Sequence, residues 1–355
     1  MPEATEAASA EPSVSDTLVV APAWIGDAVL SQPMLALLGE RFPGSGIDVL
    51  AAPWVAPVFE RMAQVRQVIV SPFGHGELRL ASRRQLAATL PPYARAIVLP
   101  NSLKSALVPW FAGIPVRTGW RGEMRFGLLN DLRELDEMVY PLLTERFAAL
   151  AMPAHVSLGR VVPRPRLDVD PEARAATLAR LGLSTDAPVL ALAPGAEYGP
   201  AKRWPTRHFA GVARAYEARG FQTWLFGSAN DAGVAAEVAE STAGRAINLA
   251  GRTSLAQAID LLSLADRVVT NDSGLMHIAA ALGRPLAAVF GSSSPGFTPP
   301  LSASARIISR DLPCSPCFQR TCPLGHGDCL EKLEPARVIS ALDRIRRPPA
   351  EREAA

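Results

Sequence analysis

Four short polar segments of the chain each follow an apolar run, and they contain residue types that bind nucleotides or move protons. The first, APAWIGD, occupies residues 21–27. Its Gly26 permits a tight turn or the close approach of a substrate, and its Asp27 presents a carboxylate. Such a carboxylate can act as a general base, although an aspartate at a strand–helix junction also commonly caps the helix. This segment alone leaves both interpretations open.

The second segment combines a turn with basic residues. Pro194 and Gly195 form a turn directly after an apolar run, and the sequence AKRWP, which contains Trp204, follows at residues 201–205. Lys202 can place a point charge on a diphosphate at the mouth of a cleft. The alternative is a solvated basic loop.

The third segment, VTNDSGLMHIAAALG at residues 269–283, reads as a strand end, a polar turn and the start of a helix near Leu275. The first backbone N–H groups of a helix have no intrahelical acceptor. Those of Ser273, Gly274 and Leu275 therefore form a potential anion site, and Gly274 lets a phosphate come close. Asp272 can either bond a ribose hydroxyl or cap the helix.

Two further features could contact the same ligand. His277 lies on the first turn of that helix, where it is either a phosphate partner or a packed residue. The fourth segment, FGSAND at residues 226–231, is another glycine turn at a strand end. Its Gly227 and Asp231 can hold a base or a ribose, and an ordinary strand–helix turn is the alternative.

Two motifs raise the question of a metal. A C-x2-C-x4-C-x6-C pattern has the density of a zinc site, and its members are Cys314, Cys317, Cys322 and Cys329. Because its last spacings are irregular, we favour reduced thiols packed in a Pro/Gly-rich loop over structural zinc. The acidic pair Asp168 and Asp170 lies in a proline-rich stretch away from any strand end, so we interpret it as linker.

The elements that position these segments alternate between short apolar runs and helical stretches, as in parallel sheets covered by helices. The length of 355 residues favours two domains, and the proline-rich residues 162–171 are the linker candidate. Ligands of such sheets bind at the carboxyl ends of the strands, so the four segments should face a shared cleft. The predicted divisions are a disordered tail at 1–16, domains at 17–165 and 166–330, and a C-terminal helix and tail at 331–355 that pack back on the first domain.

Individual elements can also be predicted. Pro33 lies either in the first turn of a helix that opens near Ser31 or inside a helix that begins earlier. Ser254 and Gln257 have the spacing of a capping box. The predicted strands are residues 18–20, 47–51, 68–70, 96–99, 189–193, 223–226, 246–249, 268–270 and 286–290.

Composition excludes several classes of protein. The formal charge of +2, without a dense basic block, argues against a nucleic-acid binder. The chain has neither the basic start of a signal peptide nor an apolar run of about 20 residues, so we expect a cytoplasmic protein. All four cysteines lie within residues 314–329, which does not suggest a disulfide framework.

Together the motifs resemble the ADP-heptose–lipopolysaccharide heptosyltransferases of glycosyltransferase family 9, and the type II branch most closely. The resemblance covers residues 17–345 and rests on the order of WIGDAVL, PGAE with KRWP, TNDSGLMH, and CSPCF with CPLGH. It implies a GT-B fold, in which two Rossmann-like doubly wound domains face a central cleft. It also implies inverting transfer of heptose from ADP-heptose to the heptosyl-Kdo-lipid A inner core of lipopolysaccharide.

The resemblance assigns roles to residues. Asp27 matches the general base, Lys202 the residue that stabilises the diphosphate, and Asp231 the acidic residue near the ribose, within a divergent turn. No metal is implied for catalysis. The implied donor site comprises Gly26, Pro194, Gly195, Lys202, Trp204, Gly227, Asp231, Asp272, Ser273, Gly274, Leu275 and His277.

An acidic glycolipid acceptor implies basic side chains on the first domain, and these would also suit peripheral contact with the inner membrane. Scattered arginines are otherwise solvated surface. Three other functions stay open: an epimerase or hydrolase of nucleotide sugars with the same architecture, a transferase for another sugar donor, and a nucleotide-binding scaffold. The candidate acceptor contacts are Arg79, Arg83, Lys104, Arg117 and Arg121, with Arg84 and Arg125 nearby.

Overall fold

The computed structural model describes residues 15–345 except His75, Arg160 and Val161, and it contains two six-stranded parallel sheets. The first sheet comprises β1 (Thr17–Val20), β2 (Ile47–Ala51), β3 (Gln67–Val70), β4 (Arg95–Val98), β5 (Val116–Trp120) and β6 (Asp131–Arg133). The second comprises β7 (Val189–Ala193), β8 (Gln222–Leu225), β9 (Ile247–Asn248), β10 (Arg267–Asn271), β11 (Leu286–Val289) and β12 (Ala305–Ile308).

Both sheets have the same strand order. The first runs β3-β2-β1-β4-β5-β6, and the second repeats this order as β9-β8-β7-β10-β11-β12. This is the doubly wound order of Rossmann domains, in which the strand sequence reverses beside the first strand. The central strands β1 and β7 are buried throughout because helices cover both faces of each sheet. The predicted pair of doubly wound domains is confirmed.

Twelve α-helices connect and cover the strands in the part of the chain that the structure describes. They are α1 (Ile25–Arg41), α2 (Ala56–Phe59), α3 (Leu80–Thr89), α4 (Leu107–Phe111), α5 (Leu143–Ala151), α6 (Pro171–Leu181), α7 (Thr206–Glu217), α8 (Ala232–Glu240), α9 (Leu255–Leu262), α10 (Gly274–Ala281), α11 (Asp328–Glu331) and α12 (Pro335–Asp343). Pro33 lies inside α1, so the helix begins well before it. Ser254 caps α9 in the predicted capping box with Gln257.

Polar contacts fasten the two domains at the linker. Arg61, beside α2, donates to the carboxylate of Asp260 on α9 at 2.7 Å, and Asp260 is almost completely buried. The backbone N–H of Asp168 donates to the Arg61 carbonyl at 2.8 Å, and the Asp170 carboxylate caps α6 by accepting from Ala173. Asp168 and Asp170 therefore belong to the junction between the domains, as predicted for a linker.

The ordered structure at the N-terminal end differs from prediction. Residues 1–14 and 346–355 of the predicted tails lie outside the described residues. Asp16, predicted in the disordered tail, is buried, and its carboxylate accepts from the backbone of Gly46 and from Arg66. The ordered structure therefore begins before β1.

The C-terminal helix α12 packs on the second domain, so the prediction that it returns to the first domain is wrong. It contacts α7, β11 and β12. Its Val338 and Leu342 are fully buried in the core of the second domain, and Asp343 accepts from the hydroxyl of Tyr216 at 2.7 Å. The apolar stripe of α12 is thus satisfied within its own domain. Across the described residues, no helix is both long and apolar enough to span a bilayer.

Candidate active site

A cavity of about 800 Å³ lies between the carboxyl edges of the two sheets. The first domain contributes the loop after β1 and the start of α1, whereas the second contributes the turns after β7, β8 and β10. This volume is within the usual range for small-molecule sites. The cavity occupies the place where doubly wound sheets bind ligands, as the sequence predicts.

Asp27 faces this cavity from the first turn of α1. Trp24 occupies the N-cap position, so the capping interpretation of Asp27 is wrong. Burial raises the pKa of the Asp27 carboxyl to about 6, the positive charge of Lys202 opposes this shift, and the negative charge of Asp272 adds to it. A carboxylate with a pKa near neutrality is suited to accept a proton.

Lys202 and Asp272 form an ion pair on the second-domain side of the cavity. The Lys202 ammonium donates to the Asp272 carboxylate at 2.6 Å, and it lies 5.1 Å from the ring centre of Tyr198. Both side chains are largely buried, with exposed fractions of 19% for Lys202 and 6% for Asp272. Asp272 therefore does not cap α10. Its carboxylate instead pairs with Lys202 and holds the ammonium group at the cavity wall.

Three helices begin at the cavity wall, namely α1, α9 and α10. Ser273, Gly274 and Leu275 line the cavity at the start of α10, where the first N–H groups have no intrahelical acceptor. The Ser273 hydroxyl is buried and has no partner among the described residues. Converging helix N-termini beside a lysine make this wall suitable for binding an anion.

His277 is buried behind this wall and touches the first domain. Burial lowers its pKa to about 4, so the imidazole is neutral at pH 7. Its ring packs so closely on Gly26 that a Cβ at Gly26 would lie 2.8 Å from the imidazole Cδ2. His277 lines the cavity, and its Nδ1 has no partner among the described residues. At pH 7 His277 is therefore a neutral ring in the cavity wall, and its contact with a phosphate stays a prediction.

Asp231 lies across the turns that follow β7 and β8. One carboxylate oxygen accepts from the backbone N–H of Ser228 at 2.9 Å and from its hydroxyl at 2.8 Å. The other oxygen is buried without a partner in the described residues. A side chain at Gly195 or Gly227 would overlap Asp231. All three residues line the cavity and can face the nucleoside half of a ligand.

Gly274 has a structural role that was not predicted. A Cβ at this position would lie 2.8 Å from Cβ of Ile25 on α1, because the starts of α1 and α10 meet across the domain interface. The missing side chain therefore accommodates the other domain, and the close approach of a phosphate to Gly274 stays a prediction.

Trp204 and Pro194 support the site but are absent from the cavity wall that the described residues form. Trp204 is buried in the core of the second domain, and its indole donates to the Leu333 carbonyl at 2.8 Å. Asn271 was not predicted as a site residue. Its side-chain oxygen accepts from the backbone N–H of Trp204 at 3.0 Å, and its side-chain NH2 donates to the Pro194 carbonyl at 2.7 Å. This buried amide joins β10 to the turn after β7.

The five predicted acceptor contacts also lie outside the cavity wall, and two of them have structural roles. Arg83 is buried over the ring of Phe73, with its guanidinium donating to two main-chain carbonyls. Arg117 donates to the carbonyls of Leu128 and Ile114. These contacts correct the prediction for Arg83 and Arg117.

The other three candidates retain surface access. Arg79 and Arg121 are exposed and form ion pairs with Glu77 and Glu134. Lys104 is half-buried in a 3-10 helix after β4. Their part in acceptor binding stays a prediction.

Sequence reasoning missed several residues of the cavity wall. Trp54 follows β2, so the predicted strand at 47–51 could have placed it at the carboxyl edge of the sheet. Trp24 and Phe318 lie within the WIGDAVL and CSPCF motifs, whose aromatic side chains were not predicted to line the cavity, and the other three come from loops without a recognisable motif. Lining side chains that were not predicted include Trp24, Trp54, Tyr198, Ser293, Phe297 and Phe318.

The four cysteines are free thiols of intermediate exposure. The Cys322 sulfur accepts from the backbone N–H of Gly327 at 3.4 Å, and main-chain N–H groups around it lower the pKa of this thiol. Within residues 15–345 as described, no group of three or more histidine, cysteine or acidic side chains is arranged to hold a metal ion.

Two Rossmann-type sheets that share one cleft, lined by a carboxylate of the first domain and by a lysine and helix N-termini of the second, have the architecture of GT-B proteins, the fold class of many glycosyltransferases. A model of glycosyltransferase family 9 (heptosyltransferase) matches residues 79–327. The chain belongs to this family.

Individual relatives agree with this assignment. Lipopolysaccharide heptosyltransferase 2 of Escherichia coli is 45% identical over 92% of this chain and 97% of its own length. Lipooligosaccharide heptosyltransferase 2 of Haemophilus influenzae is 44% identical over 82% of this chain and 87% of its own length. The solved structure of E. coli ADP-heptose lps heptosyltransferase II superposes with a TM-score of 0.83 at 43% identity, covering 93% of this chain and 98% of that one. These matches favour a transferase over the epimerase or hydrolase.

The raised pKa of Asp27 predicts a pH profile. If this carboxylate accepts a proton, kcat/KM should rise with pH through an apparent pKa of about 6, because only the ionised form is a base. Asp27→Asn should lower kcat about 10²-fold or more, leave donor affinity nearly intact and remove this inflection. Steady-state kinetics between pH 5 and pH 8 checks both points, and a variant that retains most of its turnover would contradict the role.

The close contact at Gly274 predicts a second effect. Gly274→Ala should separate the starts of α1 and α10, misplace Asp27 relative to Lys202, and lower kcat/KM by about 10-fold or more. Gly39→Ala on α1 is the matched control, because a Cβ at Gly39 would meet no atom within 4 Å. It should keep full activity and melt at the same or a higher temperature. Equal kinetics for the two variants would show that the contact is not needed.

Proposed function

We propose that this chain transfers heptose from ADP-heptose to the heptosyl-Kdo-lipid A inner core of lipopolysaccharide, with inversion at the anomeric carbon. One observation supports this most strongly: Asp27 from the first domain lines the same cavity as Lys202 and the start of α10 from the second domain. A base from one domain beside an anion-binding site from the other suits a displacement in which the base activates the nucleophile while the second domain holds the leaving diphosphate.

In the proposed reaction an acceptor hydroxyl oxygen forms a bond to the anomeric carbon while the bond from that carbon to the diphosphate oxygen breaks. Asp27 takes the hydroxyl proton. Its raised pKa favours this proton transfer near neutral pH. The electron pair of the broken bond leaves with ADP.

The leaving ADP gains negative charge, which the second domain is built to stabilise. Lys202 supplies a full positive charge, and the N–H groups at the start of α10 supply partial charges that are fixed in place. The ion pair with Asp272 holds the Lys202 ammonium, so little reorganisation is needed when charge develops. The turn containing Asp231 and the start of α9 lie beside this wall and suit the ribose and the base.

The lipid-linked acceptor requires peripheral contact with the cytoplasmic face of the inner membrane. Loops after β3, β4 and β5 lie at the carboxyl edge of the first sheet, the edge that also positions Asp27. They expose the basic residues Arg79 and Arg121 and the apolar Met124 and Phe126, whose exposed fractions are 78% and 66%. Basic and apolar side chains together favour an anionic membrane surface.

The function is tested by incubating purified protein with ADP-heptose and lipopolysaccharide truncated after its first heptose. We expect stoichiometric ADP release and an added heptose in the mass spectrum of the acceptor. Matched reactions with UDP-glucose, or with an acceptor that lacks heptose, should give little product. ADP release without a modified acceptor would indicate a hydrolase and contradict the proposal.

Transfer should need no divalent metal if Lys202 and the α10 N–H groups stabilise the charge of the departing diphosphate. Activity should therefore persist after addition of excess chelator, apart from modest effects of ionic strength. A thermal melt of the same sample controls for metal lost from the cysteine cluster. Immediate loss of activity at an unchanged melting temperature, restored by magnesium or manganese, would overturn this mechanism.

A further inference from the structure

Two tryptophans stand in the cavity wall without a role in the reaction described above. Trp24 and Trp54 both line the cavity on the first-domain side, together with Asp27. Their exposed fractions are 49% and 45%, although indoles usually bury most of their surface. A large aromatic surface exposed inside a concave site is typical of ligand binding.

The local structure fixes the ring of Trp54 and the main chain of Trp24. Trp54 follows β2, and its indole N–H donates to the carbonyl of Ala23 at 2.8 Å. Trp24 follows Ala23 directly, and its own carbonyl accepts the first N–H bond of α1, from Ala28 at 2.9 Å. One hydrogen bond thus joins the loops after the neighbouring strands β1 and β2, so the two indoles form part of a preorganised wall.

We propose that Trp24 and Trp54 form a stacking platform that binds a pyranose ring of the acceptor glycan next to Asp27. The face of an indole ring is electron-rich, so it attracts the weakly positive C–H groups that cover one face of a pyranose. The sugar hydroxyls at the ring edge remain free for hydrogen bonds and for attack. This platform therefore recognises a sugar by its apolar face.

The position of the platform selects the acceptor over the donor, given the proposed function. Asp27, which takes the proton of the acceptor hydroxyl, lies three residues after Trp24 on the same wall. Lys202 and the starts of α9 and α10, which suit the nucleotide, belong to the second domain. An acceptor sugar on the indoles would present a hydroxyl beside Asp27 while the second domain holds the donor.

The test compares Trp54→Ala and Trp24→Ala with Trp110→Ala. Trp110 is a matched control because it is similarly exposed, at 44%, and lies on α4 in the same domain outside the cavity wall. Calorimetry measures binding of the deacylated acceptor oligosaccharide and, separately, of ADP. Steady-state kinetics measures the acceptor KM of the same proteins.

We expect each platform variant to weaken oligosaccharide binding and raise acceptor KM by about 5- to 10-fold, the size of one aromatic contact. ADP affinity should stay within about twofold of wild type, as should every measurement on Trp110→Ala. Trp54→Phe keeps a ring but loses the hydrogen bond to Ala23, so it should give an intermediate effect.

Two results would overturn the platform. Weaker ADP binding with unchanged oligosaccharide binding would place the indoles at the donor, and unchanged binding of both ligands would remove them from the site. Because calorimetry needs no turnover, these results are distinct from a failure of the wild-type protein to transfer heptose, which would contradict the proposed function instead.

Discussion

The contact between the starts of α1 and α10 fixes the geometry on which the site depends. These helices belong to different domains, and they approach so closely that Gly26 packs on His277 and Gly274 packs on Ile25 without room for a Cβ. Each helix also directs its N-terminus into the cavity. The position of Asp27 relative to the N–H groups of Ser273–Leu275 follows from this packing, since Asp27 belongs to α1 and these N–H groups open α10.

The same contact accounts for the electrostatics. Closing the helix starts together removes water from Asp27 and from His277, and this desolvation disfavours the charged form of each. The pKa of the acid consequently rises and the pKa of the histidine falls. Lys202 and Asp272 form their ion pair beside these two groups. The packing of two helix starts thus produces both a proton acceptor and a neutral imidazole.

Sequence reasoning predicted the doubly wound domains and the segments that meet in the cleft, because buried parallel strands and their polar ends leave a strong local pattern. It missed β5, β6 and β12, because charged residues such as Arg117, Asp131 and Arg306 interrupt the apolar run that marks a buried strand. It also did not foresee the packing of Gly274, Trp204 and Arg83. Their roles depend on which distant residue packs against them, such as Ile25 for Gly274, and no local spacing encodes that partner.

The packing of α12 on its own domain has a consequence for connectivity. Within the described residues, the chain passes from one sheet to the other in a single stretch, the linker that ends at Asp170. Each Rossmann unit is therefore a continuous piece of polypeptide, and covalent tethering constrains their mutual orientation at one point. The alignment of the two halves of the active centre therefore depends on side-chain packing between the domains. One domain could be replaced during evolution without a change in the chain connectivity of the other.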